Sequence, residues 1–104
     1  MKVSTYTPNY NGPLAIVYTD VTSLAANLNE AQLERVHSLG ERYDEKWLEL
    51  QNGAQTTWIY KVKNDLDANA RAEKMRQAGN SLCLKVNGIF ADRVAILGAH
   101  AAEI

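Results

Sequence analysis

Trp58, Tyr60, Lys61 and Lys63 form the group in this chain whose residue types and spacing come nearest to a recognisable chemistry. Aromatic rings displayed beside lysines on a sheet can stack nucleobases and hold phosphates. Arg71, Lys74 and Arg76 follow on a predicted helix and add positive charge. Lys61, Lys63, Arg71 and Lys74 are therefore the candidate surface for single-stranded nucleic acid. The alternation works against it. In a strand, Trp58 and Tyr60 share one face while Lys61 and Lys63 take the other, which sends the rings to the core and the lysines to water. The glycine–aromatic signature of an RNA-recognition motif is also missing. Nucleic-acid binding is the alternative reading of this chain.

Catalytic and metal chemistry find less. Cys83 could act as a nucleophile with His37 or His100 as base, but no local signature surrounds the cysteine. An ordinary half-buried thiol is the expectation. Two histidines and one cysteine do not supply a metal site, and no calcium-loop pattern appears. Asp44, Glu45 and Glu49 cluster near Trp47 and could serve as acid and base; a solvated charged face explains the same run. The six glycines are scattered, and none forms a phosphate-binding loop. The expectation is no enzyme, no cofactor and no metal.

Large side chains near turns give the positive hint. Tyr10, Tyr43 and Trp47, with Tyr6, are of the type favoured as interface anchors. Tyr43, Trp47 and Tyr10 are the candidate partner-binding residues. The function expected is that of a small non-enzymatic protein-binding regulator or inhibitor acting through surface contacts.

Composition sets the bounds. The chain has 104 residues, 46% hydrophobic and 22% charged, with a net charge of −1. That suits one domain over residues 1–104 with one modest site. The charge balance lacks the basic footprint of a general nucleic-acid binder. A single cysteine fits a reducing compartment. No apolar run approaches the ~20 residues needed to span a bilayer, and the start carries no apolar leader. The expected setting is the cytoplasm, without a membrane.

The elements that must position these residues follow from hydrophobic period. Leu14–Tyr18 is a near-continuous apolar run and reads as a central strand. Asn29 and Gln32 have capping-box spacing, flanked by the staple pair Leu28 and Leu33. A helix over 29–39 follows, stopped by Gly40. Residues 41–51 support either state. Tyr43 and Trp47 at i and i+4 favour a helix, whereas Leu48 and Leu50 alternate with polar residues. The β-branched and aromatic run Thr56–Lys63, and Asn52-Gly53 before it, favour a hairpin over 46–63. Asn64 or Asp65 is expected to cap a second helix over 65–78, ended by Gly79. Leu82–Val86 alternates and reads as a strand, Asn87-Gly88 as a tight turn, and Val94–Leu97 as a last strand. The order is β-α-β-β-α-β, that of a ferredoxin-like split βαβ sandwich. The fold class expected is α+β, with two helices packed on one face of a mostly antiparallel sheet and an extra C-terminal strand or hairpin. An exposed edge at Lys2–Thr7 could pair with a copy of itself, giving a homodimer.

Two short resemblances accompany this reading. Gly79–Val86 resembles the Gly-Asn-Ser strand of AbrB/MazE-type antitoxins, swapped-hairpin DNA binders, over eight residues. The proline and short helix that come next in that family are absent here. Leu14–Val36 with Gly79–Gly98 resembles the non-catalytic N-terminal domain of leucyl aminopeptidases, in which an apolar strand and a helix precede a Gly-x-Ser/Thr-Leu-x-Leu strand. Residues 37–78 do not match it. That resemblance implies no peptidase activity.

Overall fold

The computed structural model describes residues 2–7, 10–39, 46–53, 55–63, 66–98, 100–101 and 104. Its strands are β1 (Lys2–Ser4), β2 (Leu14–Tyr18), β3 (Trp47–Asn52), β4 (Gln55–Lys61) and β5 (Arg93–Gly98). A 3₁₀ helix, Val21–Ala26, and α1, Glu30–Leu39, follow β2; α2, Ala68–Gly88, joins β4 to β5. The strands form a single sheet in the order β1-β5-β2-β4-β3.

The α+β class holds, but the sheet is not mostly antiparallel. β1 with β5, β5 with β2, and β2 with β4 are parallel; β3 with β4 is the antiparallel pair. Parallel neighbours need a long crossover, usually a helix. Here α1 lies between β2 and β4, and α2 between β4 and β5. The last strand is no appendage, because β5 inserts between β1 and β2. β2 thus stands in the middle with all five residues buried, as its unbroken apolar run requires.

The two helices cover opposite faces of the sheet, not one. Ala15 and Val17 of β2 belong to a cluster with Trp58, Tyr60 and the α2 residues Met75 and Leu82. Leu14 and Ile16 belong to a second cluster with Ile59, Leu24 and Val36 of α1. The period-two alternation of β2 and β4 feeds both layers at once. Trp58 and Tyr60 lie in the core, as their alternation implies.

The local start signals of α1 are met in full. The Gln32 amide N–H donates to the Asn29 side chain at 2.8 Å, and the Asn29 N–H donates to the Gln32 side chain at 3.0 Å. Leu28 and Leu33 pack in the same cluster beneath this box. The stop expected at Gly40 lies outside the described residues. The hairpin over β3 and β4 also forms, so residues 47–52 are strand. Asn52 pairs with Gln55, and Gly53 takes φ +60°, the left-handed value that tight hairpin turns ask for.

The largest correction concerns residues 79–88. α2 does not end at Gly79, and Leu82–Val86 is not a strand. Met75, Ala78, Leu82 and Val86, three or four apart, form the buried stripe of one continuous helix. Leu84, which alternation places beside Leu82 and Val86, is 74% exposed. Gly79 serves as space: a Cβ there would stand 3.0 Å from the Ile104 side chain. Asn87-Gly88 is the helix's last turn rather than a β-turn. At the other end the cap is Asp67, whose carboxylate accepts the Ala70 N–H at 2.7 Å. Asn64 and Asp65 lie outside the described residues.

Candidate functional site

Among the described residues, the C-terminus of α2 departs from what stability alone favours. The Ala91 N–H donates to the Val86 carbonyl at 3.1 Å, and the Phe90 N–H to the Asn87 carbonyl at 3.0 Å. These are the two bonds of a Schellman cap, with Ile89 as the capping residue. The next position must turn left-handed, and glycine usually fills it because a Cβ crowds the neighbouring carbonyl. Here Phe90 takes it, with φ 59°. The left-handed form costs an L-residue about 1–2 kcal/mol.

The cap turns Ala91 inward, where it packs on the cluster containing Val86, and turns Phe90 outward. Phe90 is 98% exposed, and Ile89 beside it is 41% exposed. Burying a phenylalanine is worth about 1.5–3 kcal/mol, a gain the chain alone does not collect. Two residues after Phe90, the Asp92 carbonyl accepts the Lys2 N–H at 3.0 Å. Ile89 and Phe90 therefore sit at the end of the sheet where β1 and β5 begin.

The residues singled out from sequence fall elsewhere. Trp47 is 6% exposed. Its indole N–H donates to the Ala78 carbonyl of α2 at 2.8 Å, and its ring lies 5.2 Å from that of Tyr60. It ties β3 to α2 from inside, so its ring is not presented as a surface anchor. Tyr43 lies outside the described residues. Tyr10 is half-buried: its hydroxyl donates to the Pro13 carbonyl and accepts the Ala95 N–H at 3.2 Å. Burial pushes its pKa above the ordinary 10.0, against the opposing pull of the Ala95 hydrogen bond and of Arg93. Its ring is 6.1 Å from that of Tyr6.

Lys61, Lys63, Arg71 and Lys74 are not brought to one surface. Lys61 alternates with Tyr60 and Val62, which both point to the α2 side, so it projects to the α1 side. Arg71 and Lys74 ride on α2, across the sheet. Of the acidic trio, Asp44 and Glu45 lie outside the described residues. The Glu49 carboxylate accepts the Trp58 indole N–H at 3.2 Å. Cys83 lies on α2 and His37 on α1, with the sheet between them, so that pair cannot work together. Among the described residues no three His, Cys, Asp or Glu side chains gather to hold a metal. No described helix is long and apolar enough to cross a membrane.

Comparison with protein-family models, with curated proteins and with solved structures finds no match. Function must then be read from the chain's own geometry. Phe90 is hidden at the level of sequence because a strand at Leu82–Val86 makes Asn87-Gly88 the turn. The stripe Met75, Ala78, Leu82, Val86 carries the missing signal. It shows that the helix runs past Gly79 through Val86, so that the chain's turn comes after Gly88.

Proposed function

We propose that this chain is a non-enzymatic contact protein that binds another protein and modulates it. The observation that carries the reading is Phe90, a fully presented ring held out by a strained cap. Aromatic side chains dominate binding energy at interfaces when a partner's pocket takes them in. The exposed Ile89 adds apolar area beside the ring. The reading takes the 104 residues as one domain acting by surface contact, without cofactor, in a reducing compartment such as the cytoplasm.

The test compares immobilised wild type with Phe90→Gly, by quantitative mass spectrometry of what each retains from the source cell. Glycine relieves the left-handed strain while removing the ring. A defined set of proteins should be retained by the wild type and lost from the variant. Loss of an interface anchor worth about 2 kcal/mol corresponds to about 30-fold weaker binding. Identical retention by both proteins would refute the reading.

A further inference from the structure

β1 is an edge strand with three properties that together describe what can lie against it. The first is its backbone. The Lys2 N–H is used inward, on the Asp92 carbonyl. Successive residues of a strand direct their N–H and C=O groups alternately to the two sides, so those of Val3 point away from β5, to the side where no described strand lies. The second is an apolar groove on the α2 side of the edge. Val3 registers with Val94, whose side chain belongs to the α2 layer, and is itself 64% exposed. With Ile96, Gly98, Ala101 and Ile104 it lines a groove of about 590 Å³.

The third is a basic cleft on the α1 side. Lys2 registers with Arg93, and Ser4 with Ala95. Lys2, Ser4, Thr5, Tyr10 and Arg93 line a cleft of about 460 Å³. Two cations thus stand side by side with three hydroxyls around them. Asp92 is 3.8 Å from Arg93, and both side chains are mostly exposed, a pairing worth little. A carboxylate entering between Lys2 and Arg93 would relieve their mutual repulsion.

An added strand places successive side chains on opposite faces. We propose that β1 is a docking edge for an extended segment of a partner protein, taken up as a sixth strand, with apolar residues alternating with Asp or Glu. The apolar residues enter the Val3–Ile96–Ile104 groove, and the carboxylates meet Lys2 and Arg93. Main-chain hydrogen bonds through Val3 supply affinity, and the two clefts supply specificity. This rests on the contact-protein reading and names the partner's chemistry.

The experiment is an NMR titration of the ¹⁵N-labelled full chain with a synthetic peptide of alternating Glu and Val, against a control of alternating Lys and Val. The Glu–Val peptide should shift the amides of Ser4, Thr5 and Arg93 saturably, and less at high salt. The double reversal Lys2→Glu with Arg93→Glu should weaken it at least tenfold and make the Lys–Val peptide the better ligand. Val3→Pro removes the outward N–H and the valine side chain from the groove, at a position where edge strands tolerate proline. It should abolish binding while leaving the thermal midpoint unchanged. Equal binding of both peptides, or binding indifferent both to the double reversal and to Val3→Pro, overturns the proposal. Binding lost in Phe90→Gly alone overturns the edge assignment and leaves the contact reading standing. Binding at β1 without Phe90-dependent capture does the reverse. A dimer in sedimentation that Val3→Pro splits, with no effect of either peptide, makes a second copy the occupant and also overturns it.

Discussion

A phenylalanine in a left-handed cap loses twice, once in backbone strain and once in unburied ring. Phe90→Gly should therefore raise stability by about 1 kcal/mol. For a chain of this size that is roughly 4–8 °C in thermal midpoint, readable by circular dichroism. A ring with a concealed structural role would lower the midpoint instead. Trp47 is the opposite case, an aromatic whose polar edge is spent inside on Ala78. Trp47→Phe should cost about 0.5–1.5 kcal/mol, since it removes the indole hydrogen bond while the Ala78 carbonyl keeps its place in the helix. Tyr10 gives a pH signature. Burial raises its pKa in the folded state, so its contribution is complete below the unfolded phenol value near 10. It drains away as pH climbs through the higher folded value. Denaturation midpoints measured upward from about pH 9 should fall more steeply in wild type than in Tyr10→Phe. Parallel curves would remove Tyr10 as the cause.

Among the elements, α1 and the β3–β4 hairpin are legible in the amino-acid order itself because their signals are local. A capping box closes within four residues, and a glycine turn within two. Asn29→Ala should cost about 1 kcal/mol of stability. The second half of α2 is not legible in the same way, for a specific reason. Leu82-Cys83-Leu84-Lys85-Val86 satisfies period two over five residues, while its helical period shows only when Met75 and Ala78 are counted with it. Gly79 then resembles a stop, although its missing Cβ makes room for Ile104. The helix makes a claim the strand would not. Leu82→Ala should cost about 2–5 kcal/mol, whereas Leu84→Ala should stay within about 0.5 kcal/mol. Equal costs at 82 and 84 in chemical denaturation would contradict the helical assignment.

At the scale of the whole molecule, the sheet joins the two ends of the chain. Lys2 pairs with Arg93, and β2 takes β4 on one side and β5 on the other. Protection should follow that plan. Amide hydrogen exchange should be slowest in Ala15–Val17, between two strands and two helical layers. The Val3 amide, aimed away from β5, should exchange fast, and that of Lys2, bonded to Asp92, more slowly. Fast exchange in β2 would contradict the central placement of that strand.

Near-neighbour chemistry is enough to establish the first helix with its cap, the hairpin, the burial of Trp58 and Tyr60, and the central character of Leu14–Tyr18. Each depends on contacts within a few residues or on a run too apolar to face water. Three features emerge only once the chain is assembled: parallel pairing, helices on opposite faces, and an inward Trp47 against an outward Phe90. Hydrophobic period reports that a face is apolar. It carries no information about which distant segment covers that face, and for Phe90 no segment described does.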